Sequence, residues 1–400
     1  MTITNPTKST NDPAAQAAET IRSLAADMNY QEVRRWMKAH PHAPVVGYFP
    51  AYAPREIIYA AGGLAVGIWG GGMDVEIVHG DAYYQSYICR LPRSIIDLAK
   101  QGVYKGYNGM IFPSICDVIR NLSGMWKIMF PDQWVKYLDL PQNLNPEIGG
   151  KFYQDEMKQM ARLVLGREPD DEFYDKLRAA IAMTNRQMVA VNRLKEARFH
   201  TPHLVPVDEY YNLFRVALVL HPEEHIKMVD SYLEEIKGRD THPMDNIRVL
   251  MVGAFCEQPP VGLLKAIERS GCYIVNHDLL IGLHMFTSPL DETGDPFESL
   301  ADAYLHKTDI TPFKYQGQLN RGDEIVKMIK AAKAEGVVMA SPSFCDPSLL
   351  ERPMLQDALK EAEIPYTMFR YAENTGQYQA IREQIGTFSD SVRLWEVSDE

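Results

Sequence analysis

The stretch GVVMASPSFCDPSLLERPMLQDALK, residues 336–360, contains the pattern that decides the fold. Its first residues are apolar and partly β-branched, which predicts a buried strand, and a helical pattern follows the prolines. Between the strand and the helix lies Cys345, followed directly by Asp346. In an open parallel sheet, ligands bind where the carboxyl ends of strands lead into helices. The position therefore raises the question of what a cysteine does there.

The C-terminal part of the chain repeats this alternation of strand and helix. After Asp245 come four strand patterns, IRVLMVGAF, CYIVNHD, GVVMASP and IPYTMFRY. The helical segment VGLLKAIERSG between the first two ends in Gly271, a typical signal for the C-terminus of a helix. Strands that alternate with helices of this length predict a doubly wound parallel sheet.

The N-terminal part has the same texture. A helical pattern over residues 17–40 precedes a strand, a loop with Pro50 and Pro54, a helix at about 55–61 and a glycine-rich turn. A second buried strand, GMIFPSICD, follows at 109–117. From about 150 to 240 the pattern is helical, with one apolar stripe and an acidic helix start at 169–172.

These patterns predict an α/β protein with two doubly wound parallel-sheet lobes and a helical connector. We expect a disordered tail at residues 1–16, an N-terminal lobe with a leading helix at 17–148, a helical region at 149–244 and a C-terminal lobe at 245–400. Two α/β lobes that flank a helical region suggest an old duplication.

Composition excludes several classes of function. The chain has 400 residues, 46% of them apolar, and a formal net charge of −12, so nucleic acid and anionic membrane surfaces are poor partners. It contains no apolar run of about 20 residues, as a membrane span requires, and its first sixteen residues lack the apolar core of a signal peptide. We expect a cytoplasmic protein.

Five cysteines at long spacings do not resemble a secreted disulfide framework. Four of them lie near the end of a strand pattern or the start of a helix pattern: Cys89, Cys116, Cys256 and Cys345. Helix N-termini favour thiolates, which suits a metal ligand. Packing of a small apolar side chain is the alternative for each cysteine, and it is the expected role of Cys272, which opens a strand.

Two other motifs predict no chemistry. HPEEH at 221–225 matches a zinc-peptidase pattern, but Pro222 is best placed as the first residue of a helix, which makes His221 its cap and separates the two imidazoles. The glycines of GGLAVGIWGGG do not have the spacing of a dinucleotide-binding turn.

From about Ala43 onwards the chain resembles the homologous subunits of 2-hydroxyacyl-CoA dehydratases and ATP-dependent benzoyl-CoA reductases. The matching segments include VVGYFPAYAPREIIYAAGGLAV, ICRLPRSIIDLA, FPSICDVIRNLSGMWK, CEQPPVGLLKAIERSGCYIVNHDLLIG and SPSFCDPSLLERPMLQDALKEAEIPYTMFRYAENTGQYQAIREQIGTF. The resemblance implies that Cys89, Cys116 and Cys345 hold a [4Fe–4S] cluster between the lobes. It also implies that Glu56 lies near the substrate.

The resemblance further implies a subunit of an aromatic acyl-CoA reductase that delivers low-potential electrons to the ring of a CoA thioester. Because the sequence has no Gly-x-x-x-x-Gly-Lys-Ser/Thr loop, ATP hydrolysis is expected from a separate iron–sulfur activator, with ferredoxin as upstream donor and a homologous cluster-bearing subunit as partner. The tyrosines beside Cys89 are candidate proton donors or packing residues, Tyr84 in particular. A 2-hydroxyacyl-CoA dehydratase subunit and a non-catalytic electron-relay or scaffold subunit remain alternatives.

Overall fold

The elements of the fold were located in a computed structural model, which describes residues 13–70, 75–253, 259–279, 286–309, 311–314, 320–372 and 378–396. The strands are β1 (Val45–Tyr48), β2 (Leu64–Gly67), β3 (Gly109–Pro113), β4 (Trp134–Leu138), β5 (Ile247–Val252), β6 (Cys272–His277), β7 (Gly336–Pro342) and β8 (Tyr366–Tyr371). The helices of the first half are α1 (Pro13–Ala25), α2 (Gln31–Ala39), α3 (Glu56–Ala60), α4 (Arg90–Lys100), α5 (Asp117–Met129), α6 (Lys151–Leu165), α7 (Asp171–His200), α8 (Val207–Val216) and α9 (Pro222–Glu235). Those of the second half are α10 (Val261–Glu268), α11 (Pro296–His306), α12 (Arg321–Ala332), α13 (Asp346–Leu350), α14 (Arg352–Glu361) and α15 (Tyr378–Glu396).

The strands form two four-stranded sheets in which every pair is parallel. The first sheet has the order β2-β1-β3-β4 and the second the order β6-β5-β7-β8, so both follow the same path through space. The strands are nearly continuous apolar runs because helices cover both faces of such sheets. The predicted α/β class with two lobes is confirmed.

The helical region joins the two sheets. Helix α6 packs against α11 and helix α8 packs against α10, so both helices contact the C-terminal part. At the first contact the rings of Tyr153 and Tyr304 lie 5.0 Å apart. At the second, Lys265 donates to Asp208 at 2.9 Å. These contacts hold the carboxyl edges of the two sheets in a fixed relation.

Three local expectations differ from the structure. Residues 17–40 form two helices, because Tyr30 adopts a left-handed conformation with φ of 51° between α1 and α2. The predicted glycine-rich turn contains strand β2, and strand β4, which includes the charged Lys136, was not predicted. Residues 1–12 of the predicted disordered tail lie outside the described residues, and 13–16 begin α1.

The acidic helix start at 169–172 is present as expected, since Asp170 caps α7 and accepts the backbone N–H of Phe173 at 3.0 Å. Within the described ranges, none of the helices combines the length and apolar character that a membrane span needs.

Candidate metal centre

Two of the cysteines occupy equivalent turns, one in each lobe. The turns at 113–117 and 342–346 share the sequence Pro-Ser-x-Cys-Asp, and each connects the third strand of its sheet to the next helix. The backbone N–H of Ser114 donates to the last carbonyl of β4 at 2.9 Å, and that of Ser343 donates to the last carbonyl of β8 at 2.8 Å. The same backbone geometry therefore presents Cys116 and Cys345.

A third cysteine joins them from a different loop. Cys89 is the N-cap residue of α4, as Cys116 is of α5 and Cys345 of α13. The N-cap position leaves backbone N–H groups of the first helical turn without partners within the helix, which favours negative charge on the capping side chain. Three thiols at three such positions therefore face a common space.

That space is a cavity of about 430 Å³ between the lobes. Besides the three cysteines, its walls are mainly apolar: Ile88, Leu91, Ile115, Val118, Ile119, Pro312, Phe313, Phe344, Pro347 and Leu350. The polar residues that line it are Asp117, Gln142 and Asp346. Apolar walls with a few polar groups are typical of a ligand or cofactor site.

The thiols differ in exposure and in charge state. Cys345 is buried, whereas Cys89 and Cys116 are half-buried. Burial raises the pKa of the Cys116 thiol, and the charge on Cys345 acts in the same direction, while the backbone N–H groups of Ile119 and Val118 oppose it. The expected lowering of the thiol pKa at a helix N-terminus is therefore outweighed by burial at Cys116.

The loop that carries Cys345 is strained. Phe344 adopts a left-handed conformation with φ of 64°, which is uncommon for a bulky residue. This residue is 49% exposed and lies at the edge of the cavity. Such strain persists only where surrounding structure enforces it, and it clusters at functional sites.

Tyr84 lies beside the cysteines but is not among the residues that line the cavity. Its hydroxyl donates to the carbonyl of Val118 at 2.9 Å. Burial raises its pKa well above the usual range, and negative charge on Cys89 and Cys116 adds to this effect. The neighbouring Tyr83 and Tyr87 are exposed, and Lys100 lies over the Tyr83 ring.

Glu56 lies in the interior, away from the cavity walls. It is only 1% exposed, and one of its carboxylate oxygens has no hydrogen-bond partner in the described part of the chain. The adjacent Arg55 is also buried, and its guanidinium lies 3.4 Å from the Gln187 side-chain oxygen. An exposed glutamate at a helix start does not describe this position.

The glycine-rich stretch does not contribute to the cavity in its described part. Residues 64–67 are strand β2, and Ile68 and Trp69 are buried. Trp69 packs beneath the guanidinium of Arg215, with 3.7 Å between the guanidinium carbon and the ring centroid. Residues 71–74 lie outside the described residues.

The remaining cysteines and the zinc-like motif belong elsewhere. Cys272 is buried in β6, where burial raises its pKa to about 12, and Cys256 lies outside the described residues. His225 is fully buried, with its Nε2–H donating to the Leu213 carbonyl at 2.8 Å and its Nδ1 accepting from Gln187 at 3.2 Å. His221 caps α9, as Pro222 predicts.

No group of three His, Cys, Asp or Glu side chains in the described ranges converges closely enough to hold a metal ion. A single zinc ion binds sulfur at about 2.3 Å and would draw its ligands close together. A multi-iron cluster binds each thiolate through a different iron, so its ligands lie further apart. The arrangement of the cysteines therefore disfavours a single-ion site.

The equivalence of the two turns is also visible in the sequence. The Cys-Asp pair alone indicates two similar strand ends, whereas the full Pro-Ser-x-Cys-Asp motif occurs at both positions. It is a stronger indication of duplication than the alternating texture of the lobes.

The chain is similar to known proteins over most of its length. The family model described as 2-hydroxyglutaryl-CoA dehydratase, D-component, matches residues 50–392. The gamma-type subunit of benzoyl-CoA reductase from Thauera aromatica, third in that enzyme's lettering, is 46% identical over 93% of this chain and 97% of its own length. The beta subunits of (R)-phenyllactyl-CoA dehydratase from Clostridium sporogenes and of (R)-2-hydroxyglutaryl-CoA dehydratase from Acidaminococcus fermentans are each 25% identical over 87% of this chain and cover 91% and 92% of their own lengths.

These similarities cover the segments that carry the resemblance in the sequence, and they confirm it. The identity to a benzoyl-CoA reductase subunit also confirms the prediction of an oxidoreductase that acts as part of a complex. The chain belongs to the 2-hydroxyglutaryl-CoA dehydratase D-component family.

Proposed function

We propose that this chain is the iron–sulfur subunit of an ATP-dependent reductase of aromatic acyl-CoA thioesters, with a [4Fe–4S] cluster held by Cys89, Cys116 and Cys345. One observation carries the proposal. Cysteines from both lobes, each at a helix N-cap, line a single apolar cavity in a chain that is 46% identical to a benzoyl-CoA reductase subunit.

The donor set fits such a cofactor. Iron–sulfur clusters are held by cysteine thiolates, and three protein thiolates leave one of four irons for another ligand. When bound, the cluster would supply electrons at low potential, which apolar surroundings and limited solvent access help to set. The apolar walls of this cavity meet that condition.

The chain's own residues prepare the site in two ways. The N–H groups of Val118 and Ile119 favour the Cys116 thiolate once its proton has left. Tyr84 ties the turn before Cys89 to the start of α5 through its bond to Val118. We propose a positioning role for this hydroxyl, because its strongly raised pKa and its bond to a carbonyl make it a poor proton donor.

For Glu56 we propose action through Arg55. The Glu56 charge acts on the buried Arg55, which also lies close to the hydroxyls of Tyr48 and Tyr59. Such a cluster would fix the loop between β1 and α3, at the same edge of the first sheet as the Cys116 turn. A role beside the substrate requires a binding surface from another subunit.

The partners follow from the chemistry. Reduction of an aromatic ring needs a strong external reductant, and the sequence has no phosphate-binding loop of the Gly-x-x-x-x-Gly-Lys-Ser/Thr type. We therefore propose an ATP-hydrolysing iron–sulfur activator, ferredoxin as its donor, and a homologous cluster-bearing subunit, all in the cytoplasm. The exposed apolar side chains of Phe344, Leu350 and Tyr87, near the cysteines, offer contacts for such partners.

The division into an N-terminal lobe at 17–148, a helical region at 149–244 and a C-terminal lobe at 245–400 stays part of this proposal. The cofactor would bind across the first and the last of these units.

An aromatic thioester is favoured over a 2-hydroxyacyl thioester by the higher identity to the benzoyl-CoA reductase subunit, 46% against 25% for the dehydratase subunits. The family model and the more distant relatives support the dehydratase as second candidate. The apolar cavity walls agree with the first candidate, because a hydroxylated chain buried there would need hydrogen-bond partners.

The experiment is an anaerobic assay of the complex assembled from this chain, its homologous partner and the activator, with ATP and a low-potential reductant. We expect consumption of benzoyl-CoA and formation of a cyclic diene thioester, and no activity with this chain alone. Turnover of 2-hydroxyacyl-CoAs only would assign the chain to the dehydratases. An unchanged rate when the cysteine triad is removed from this chain would leave it an electron-relay or scaffold role at most.

A further inference from the structure

A buried group of charges lies at the carboxyl edge of the second sheet. Asp278 follows β6, Arg321 begins α12, and Glu351 lies between α13 and α14. All three side chains are nine-tenths or more buried. The Arg321 guanidinium contacts Asp278 at 2.5 Å and Glu351 at 3.4 Å, so one cation serves two carboxylates.

The two carboxylates differ in how well their negative charge is stabilised. Asp278 accepts the backbone N–H of Gly253 at 3.0 Å in addition to its close contact with Arg321. Neither oxygen of Glu351 has a hydrogen-bond donor at ordinary geometry in the described part of the chain. If both carboxylates were ionised, one buried negative charge would be uncompensated, so Glu351 is where a proton binds most readily.

The other charges near this group sharpen that assignment. Asp309, in the loop after α11, adds negative charge opposite Arg321, and Lys195 and Lys314 face Asp309 rather than Glu351. Burial raises the pKa of Glu351 to about 7, the Asp278 charge acts in the same direction, and Arg321 opposes both. The carboxyl group of Glu351 is therefore near its protonation midpoint at neutral pH.

A single short helix connects Glu351 to the cavity. Cys345 caps α13, Leu350 at its end lines the cavity, and Glu351 follows directly. At 1.5 Å per residue the backbones of Cys345 and Glu351 are about 9 Å apart along the helix axis. A charge at that distance inside a protein changes a proton-binding equilibrium on the order of tenfold.

We propose that Glu351 is a proton-binding site coupled to electron uptake at the cysteine cavity, an inference that rests on the proposed cluster. One electron from an external low-potential donor enters the cofactor, and the Glu351 carboxylate takes one proton from solvent to form its O–H bond. The added negative charge is thereby neutralised inside the C-terminal lobe. No other bond is formed or broken.

The sign of the pH effect follows from linkage. Reduction places negative charge nearby and raises the Glu351 pKa further, so reduction is easier where the proton is already bound. Below the pKa of the oxidised state the potential is constant. From about pH 7 upwards it falls, until the total change reaches about tenfold in electron affinity, or about 59 mV for one electron.

The test is an anaerobic redox titration of the cluster-loaded full chain with dithionite and mediators, followed by electron paramagnetic resonance at pH values from about 6 to about 9, a range that brackets the Glu351 pKa. Glu351→Gln keeps the shape of the side chain and removes its titration. Glu361→Gln, an exposed glutamate at the far end of α14, is the matched control. We expect the fall in potential in the wild type and in the control, and a constant potential in Glu351→Gln.

A potential that does not change with pH in the wild type would overturn the proposal, whether or not the variant folds. An unchanged pH dependence in a loaded Glu351→Gln variant would also overturn it. Absence of iron from the purified chain would contradict the proposed function instead. Redox-difference infrared spectra offer an independent readout, since reduction just above neutral pH should convert a carboxylate band to a carboxylic acid band only when Glu351 is present.

Discussion

Cys116 and Cys345 are structural equivalents: each is the fourth residue of a Pro-Ser-x-Cys-Asp turn, and each caps the helix after the third strand of its own sheet. Because the two sheets share one strand order, the turns face the same cavity from opposite lobes. Cys89 has no counterpart of this kind in the C-terminal lobe among the described residues. The cavity therefore receives two thiols from one lobe and one from the other.

Replacing Cys89, Cys116 or Cys345 singly by serine should abolish stable iron incorporation, because each supplies one of three protein thiolates. Iron and sulfide content of anaerobically purified protein is the measurement. Cys272→Ala is the control, since this buried cysteine lies in β6, outside the cavity lining, and should retain wild-type iron. A full cluster in Cys345→Ser would show the ligand assignment to be wrong.

Cluster incorporation should depend on pH. Burial raises the pKa of the Cys116 thiol, and binding iron requires its thiolate, so a proton must leave. Reconstitution of the apo chain with iron and sulfide should therefore become slower and weaker as the pH falls from about 9 to about 7. The rise of iron–sulfur absorbance with time provides the rate. An equal rate at both pH values would contradict the raised pKa.

Tyr84→Phe should leave the cofactor and most of the activity in place. The hydroxyl donates to the Val118 carbonyl, so its loss should lower the free energy of unfolding by about 1 kcal/mol. Urea unfolding and turnover are the measurements, with the exposed Tyr83→Phe as control. A loss of turnover of about a hundredfold or more without loss of iron would instead assign the hydroxyl to proton transfer.

Lys314 should make stability rise with pH. This lysine is 2% exposed and donates to the carbonyls of Leu305 and Thr308 and to the Thr308 hydroxyl, at 3.1, 3.4 and 2.5 Å. Burial lowers its pKa to about 8, below the value of about 10.4 expected in the unfolded chain. Between these values the unfolded state binds more protons, so stability increases as the pH rises from about 8 to about 10.

The comparison that isolates this effect is the free energy of unfolding of wild type and Lys314→Met at about pH 7.5 and about pH 9.5. We expect the variant to be less stable at both, by about 1–3 kcal/mol, because several buried acceptors lose their donor. The difference between the proteins should grow at the higher pH. A difference that shrinks would mean that Lys314 is charged throughout this range.

The sequence predicts the elements that are set by local patterns. Gly336–Pro342 is predicted as a buried strand because an apolar run ends in proline, and the structure places β7 there. Strand β4 was missed because its half-buried residues and Lys136 do not form such a run, and Lys136 pairs with Glu156 of α6, 2.8 Å away. Tyr30 separates α1 from α2 while its hydroxyl bonds the Gly67 carbonyl, a contact across 37 residues.

The candidate site divides in the same way. The cysteines were identified because strand ends and helix starts can be predicted from local sequence. The burial of Glu351 was not, because it depends on Asp278 and Arg321, which approach only when three distant segments fold together. The position of Glu56 in the interior likewise depends on packing against the helical region, through Arg55 and Gln187.

The division of the thiols between two lobes has a consequence for the unfolded chain. A cofactor bound to Cys116 and Cys345 closes a loop of roughly 230 residues that includes the entire helical region. A cross-link over such a length removes chain entropy from the unfolded ensemble, by the amount of about 5 kcal/mol that the loop-entropy model assigns to a disulfide. Oxidative loss of the cofactor would then remove the strongest tie between the lobes, and damage by oxygen would be felt as a loss of folding stability as well as of electron transfer.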